Sequence, residues 1–220
     1  MISRTLWPRF AAMLLLVLPV ASSIAGEDRF SEELLAIQQS WDTVNYETAP
    51  AARASGFESL QARTHDLATR YPARAEARVW EGIVLSSLAG TKSGLGALSS
   101  AKKARDSLEA AIAMDPAVLN GSAYTTLGVL HYKVPGFPLG FGDKKKADQL
   151  LRQALARNPE GIDPNYFYAE FLYEQGKPAE ALAAARKAAA APPRPGRPAG
   201  DKGRHAEVEA LIAKIEAKSR

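Results

Sequence analysis

Four times along the chain, an alanine-rich helical pattern runs into a proline: at Pro72, Pro116, Pro159 and Pro193. Twelve, eight and five residues before these prolines stand Leu60, Thr64 and Leu67; Ala104, Leu108 and Ala111; Ala147, Leu151 and Ala154; and Ala181, Ala185 and Ala188. Residues four and three apart share one face of a helix, so each segment carries a single stripe of small and aliphatic side chains. Small side chains allow a second helix to come close, and the proline stops the first one. A chain built this way is expected to fold as stacked helix pairs.

A second helical pattern precedes each stripe. Tyr124, Leu127, Gly128 and His131 share one face. The next such helix is expected to open at Asp163-Pro164, with the acid as its N-cap, and to run through Tyr166, Ala169, Leu172 and Tyr173 to a stop at Gln175-Gly176. The prolines are 44, 43 and 34 residues apart. The shortest interval is that of the tetratricopeptide repeat (TPR), and the residues resemble that family. Its aromatic, Leu-Gly and second aromatic are matched by Tyr124, Leu127, Gly128 and His131, and its second helix by Ala147, Leu151, Ala154 and Pro159. Another unit matches through Gly82, Ala104, Leu108, Ala111 and Pro116. The last matches through Gly176, Ala181, Ala188 and Pro193, with Asn165 where an aromatic is expected. The resemblance implies an all-α, TPR-like α-solenoid of antiparallel helix pairs with a C-terminal capping helix.

The two longer intervals exceed the plain repeat between the helices of a pair, at "LAGTKSGLGALSS" (88–100) and at "KVPGFPLGFGDKKK" (133–146). Two long intra-repeat turns, one around 88–100 and one at 133–143, are therefore expected side by side. The order of the second turn, the following repeat, the bridge "PPRPGRPAG" and a last helix is similar to the TatT-like T-components of TRAP-type transporters, over roughly residues 75–218. Those are exported TPR proteins. Described members are lipid-anchored, whereas this chain has no cysteine to carry a lipid.

Arg4 and Arg9 precede an apolar run, Phe10–Val20, followed by small residues at Ser23 and Ala25. That is the order of a signal peptide, and the run is too short to span a bilayer. The expected organisation is a signal peptide (1–25), a divergent N-terminal helix pair (26–74), TPR-like repeats (75–193), and a proline-rich bridge with capping helix (194–220). The mature protein is expected in the periplasm, not as a lipoprotein and without a membrane span. The formal charge of +4 includes both arginines of the leader, which leaves too little basic excess to point to nucleic acid.

Several motifs bear on chemistry. Gly140–Lys144 places glycines and a lysine at a helix mouth, yet lacks the spacing and the preceding strand of a phosphate loop. Asp143 reads instead as the N-cap of the next helix. His65, His131 and His205 show no metal-ligand spacing, and no nucleophile turn is present. Neither catalysis nor a cofactor is expected. The TPR register places Thr125, Val129, Tyr132 and Lys133, then Tyr166, Glu170, Tyr173 and Glu174, on the concave face, where rings beside carboxylates suit an extended basic peptide or a mixed polar and apolar ligand. Phe137, Leu139 and Phe141 are too apolar to stand in water and are expected to pack between repeats, cover a ligand or dock a partner. The expected partner is an unidentified protein or peptide, such as a transporter subunit, with a small hydrophobic ligand as the alternative. Val208, Leu211, Ile212 and Ile215 form the stripe of the capping helix.

Overall fold

The computed structural model describes residues 21–218. The apolar run read as the core of a signal peptide, Phe10–Val20, lies outside them. Among the described residues, nine α-helices follow one another: α1 (Ala21–Asp42), α2 (Pro50–Arg70), α3 (Ala75–Gly90), α4 (Gly94–Met114), α5 (Ser122–Lys133), α6 (Lys144–Arg157), α7 (Ile162–Glu174), α8 (Pro178–Ala189) and α9 (Pro198–Lys218). A short π-helical turn, Thr43–Glu47, closes α1. None of these helices is long and apolar enough to cross a membrane.

Helices α3 and α4, α5 and α6, and α7 and α8 pair closely, and α5 touches both α3 and α7 along an inner layer. All twelve stripe residues are buried, none more than 2% exposed. The endings repeat as well. The residue before proline is Tyr71, Asp115 or Asn158; each is pulled out of helical geometry, and its N–H closes on the carbonyl of the last stripe residue, Leu67, Ala111 or Ala154.

The stripe sets how near the paired helices come. A β-carbon on Gly82 would lie 2.5 Å from Cγ of Leu108, and one on Gly128 would lie 2.8 Å from Cγ of Leu151. In the third pair Ala169 and Ala185, both fully buried, take the corresponding places, so a methyl is gained on one helix where the other carries a smaller side chain than leucine. Gly128→Ala is accordingly expected to destabilise the fold by about 1–3 kcal/mol through overpacking. In urea unfolding, the double variant with Leu151→Ala should cost less than the two single changes added together. Asn165 occupies its aromatic position for another reason: its buried amide donates to the carbonyls of Pro159 (2.8 Å) and Gly161 (2.9 Å), tying the linker to α7.

Two sequence expectations need correction. The segment 88–100 is not a long turn. Helix α3 runs to Gly90 and α4 already starts at Gly94, so the extra residues lengthen α4. Gly94, at φ +59°, makes the sharp entry, and Ser100 and Ala101 are buried in continuation of the α4 stripe. Asp163 is not the N-cap of α7 either. Gly161 holds that place, and the Asp163 side chain faces two arginines of the C-terminal segment.

The second insertion is a true ten-residue turn, 134–143, between α5 and α6. Gly142 N–H donates to Pro135 O (2.9 Å), Gly140 N–H to Gly136 O (3.1 Å) and Asp143 N–H to His131 O (2.8 Å). The Phe137–Pro138 peptide is cis. The Asp143 carboxylate accepts from the Lys145 and Lys146 backbone N–H groups, which makes it the N-cap of α6. The Gly140, Gly142, Asp143, Lys145 and Lys146 amides, five of those that could face a phosphate, are thus already engaged.

Candidate functional site

Helix α9 closes the stack in two ways. Its Val208, Leu211 and Ile215 are buried with α7 and α8, as a cap requires. Its first turns, with the bridge before them, continue across to α1. Gln39 donates to Gly196 O (3.0 Å), and Gly200 and Gly203 lie so close to Asp42 and Tyr46 that neither could carry a side chain. Arg197 donates to both oxygens of Asp42, which is 1% exposed, while its guanidinium lies 5.1 Å from the Trp80 ring. Arg194 (2.5 Å) and Arg204 (2.8 Å) take the two oxygens of Asp163, and Arg194 also holds Asp201 (2.6 Å). Burial alone would raise the pKa of Asp163, but Arg204, Arg194 and Arg197 outweigh it and hold the carboxyl below its ordinary range. Three arginines therefore strap the C-terminal segment over part of the inner face.

The residues expected on that face fall in different surroundings. Thr125 is buried and lines a small hollow of about 120 Å³, together with Trp41, Trp80, Phe167 and the three strap arginines. Tyr166 lies under Arg204, 4.6 Å from its guanidinium, and burial beside Glu170 pushes its phenol up to about 12. Tyr132, Lys133, Glu170 and Glu174 come together: Tyr132 OH donates to Glu170 (2.5 Å), and Lys133 Nζ reaches Glu170 (3.2 Å) and Glu174. Burial, then Glu170, pushes the Tyr132 phenol well above its usual range. Burial alone would depress Lys133, but its two carboxylate partners raise it. Tyr173 sits apart, beside Lys214 and Lys218 of α9.

Phe137, Leu139 and Phe141 also separate. Phe141 turns inward, edge-on to the half-buried His131 at 5.5 Å and under the Arg105 guanidinium at 4.8 Å. Burial lowers the pKa of His131, and its Nδ1 has no hydrogen-bond partner, as suits a neutral packing ring. Phe137 points outward and is 94% exposed. Leu139 lines a second, larger hollow.

That hollow is a partly open cleft of about 750 Å³. The end of α3 supplies Ser86, Ala89 and Gly90; the lengthened start of α4 supplies Leu95, Ala97, Leu98 and Ala101; α5 and its turn supply Val129, Leu130, Val134, Pro135 and Leu139. Its walls are overwhelmingly apolar. Lys92 and Lys133 stand at its margin, each neutralised elsewhere, Lys92 by Glu58 at 3.0 Å and Lys133 by Glu170 and Glu174. The size is that of pockets that enclose small molecules. Sequence reasoning singled out the two insertions that frame the cleft and, of its lining, Val129, Lys133 and Leu139, but not the walls from α3 and α4, nor the arginine strap. Three arginines within eleven residues, two in the bridge and one in the first turns of α9, were the available signal. Among the described residues, no three metal-ligating side chains come together.

Stacked antiparallel pairs with an inner layer of first helices and a final covering helix make the chain an all-α, TPR-like solenoid. The same architecture is found in the crystal structure of TTC0263, a thermophilic TPR protein of Thermus thermophilus, with a TM-score of 0.57 and 16% identity over 89% of this chain and 95% of that one. Two structures of MamA are more distant, each at a TM-score of 0.45; they are 18% and 17% identical, over 77% and 85% of this chain and 92% of theirs. No protein-family model matches the sequence, and no curated protein matches it significantly.

Proposed function

We propose that this chain is a binding protein without chemistry of its own, and that it holds a small, mostly apolar molecule in the cleft between α3, α4 and the α5–α6 turn. The observation that carries this reading is the cleft itself, about 750 Å³ within apolar walls to which α3, α5 and both insertions contribute. Its marginal lysines already have carboxylate partners, so the ligand need not bring charge. The leader pattern of Arg4, Arg9 and Phe10–Val20 leads us to place the protein in the periplasm. The similarity to TatT-like T-components supports a role as accessory binding protein to a solute transporter, with a transporter subunit as partner.

Ala97→Trp would test the cleft, because its half-buried position lets an indole enter without displacing the core. Losing about 60 Å² of apolar contact costs about a factor of ten in affinity. Binding of an apolar fluorescent dye, followed by titration, should therefore weaken at least about tenfold in this variant. Native mass spectrometry of the protein purified from its own source should show a small-molecule adduct. A clean mass, with dye binding unchanged in the variant, would rule the carrier reading out. A second reading, protein docking on the inner face, is favoured by Lys133 and Glu174, which stay exposed beside Tyr132 and Glu170. Crosslinking from Glu174 to a protein partner would support it.

A further inference from the structure

The outer rim of the cleft has a composition that enclosing a ligand does not call for. Five large apolar side chains stand exposed among the described residues: Leu95 (86% exposed) and Leu139 (74%) line the cleft, and Phe137 (94%) projects from the same turn as Leu139. Directly after the turn, Lys144, Lys145 and Lys146 open α6, exposed and outside every ion pair found among the described residues. Cations in a first turn oppose the helix dipole, so local structure does not explain them. Asp143 offsets them only in part: its single carboxylate feels the Lys145 charge but forms no ion pair with any of the three. Lys102, exposed on α4, lies three residues before Arg105, whose guanidinium covers the Phe141 ring of this turn.

We propose that this rim docks the protein on the surface of an anionic lipid bilayer. Phe137, Leu95 and Leu139 enter the boundary of the acyl region, and Lys144, Lys145 and Lys146 meet the lipid phosphates. An acidic protein would satisfy the lysines but would need a matching pocket for a fully projecting phenylalanine. A bilayer presents an anionic plane with apolar depth directly beneath it, which suits interleaved lysines and apolar tips. The proposal is independent of whether the cleft holds a ligand.

The test is co-sedimentation of the full chain with vesicles of phosphatidylcholine, with and without phosphatidylglycerol. The protein should bind the mixed vesicles and hardly the neutral ones. Lys144→Gln, Lys145→Gln and Lys146→Gln together should weaken binding about a hundredfold, at about fivefold for each lysine. Phe137→Ser with Leu139→Ser should weaken it by about tenfold or more. Since every changed side chain is exposed, both variants should keep the parent's thermal midpoint, which separates lost docking from lost folding. No binding to the anionic vesicles would overturn the proposal. So would binding that Phe137→Ser with Leu139→Ser leaves unchanged, because that is the behaviour of plain surface charge.

Discussion

Replacing Arg197 with alanine is expected to lower the unfolding free energy by about 3–5 kcal/mol, because it leaves the carboxylate of Asp42 buried without its counter-charge. Asp42 is 1% exposed, and the side-chain hydrogen bonds it accepts both come from Arg197. For a chain of this size the thermal midpoint should drop by roughly 10 °C. Arg186→Ala offers the contrast: its partner Glu216 is largely exposed, so that change should stay within about 0.5 kcal/mol. Pairing Arg197→Met with Asp42→Leu should recover most of the loss, since it removes the stranded charge along with its partner. A loss below about 1 kcal/mol for Arg197→Ala alone would mean that the strap is not fastened there.

The second large effect is expected at Gly142. A β-carbon there would fall on the carbonyl oxygen of Val134, a backbone atom that cannot turn aside as a side chain can. Gly142→Ala should therefore break the Gly142 N–H to Pro135 O bond and cost about 3 kcal/mol. Val134, Pro135 and Leu139 form one wall of the cleft, so dye binding should fall with stability. Gly90→Ala is the control. It ends α3 at the same cleft with open space around it, and should leave stability unchanged or raise it by about 0.5 kcal/mol. Urea unfolding of both variants, with the dye titration beside it, measures the difference.

How much of this was legible in the sequence depends on how far apart the deciding residues lie. The stripes were legible because Ala104, Leu108 and Ala111, and their equivalents, encode their burial within one helix, and because a proline fixes each helix end. The cap of α6 was legible for the same reason, since Asp143 acts on amides two and three residues away. The start of α4 was not. Gly94 and Gly96 read as breakers, and only burial of Ser100 and Ala101 against neighbouring helices shows that the helix runs through. The strap was hidden more deeply, because Asp42 and Arg197 are 155 residues apart and nothing local to either announces the other. Asp163 shows the same limit. Its position before a proline suggested a cap, and its role follows instead from Arg194 and Arg204, which belong to another part of the chain. The cleft draws its walls from α3, α4, α5 and one turn, none of which is concave alone.

The meeting of α9 with α1 also bears on how such a chain can change in length. A solenoid open at both ends can gain or lose a repeat with little cost, because each unit touches only its neighbours. Here α1 and the C-terminal segment touch, and Asp42 must stay within hydrogen-bonding reach of Arg197. Duplicating one helix pair would carry the two ends apart and strand that carboxylate. The number of repeats is thereby locked, and a lineage of such chains would vary in its turns and surfaces while keeping its repeat count.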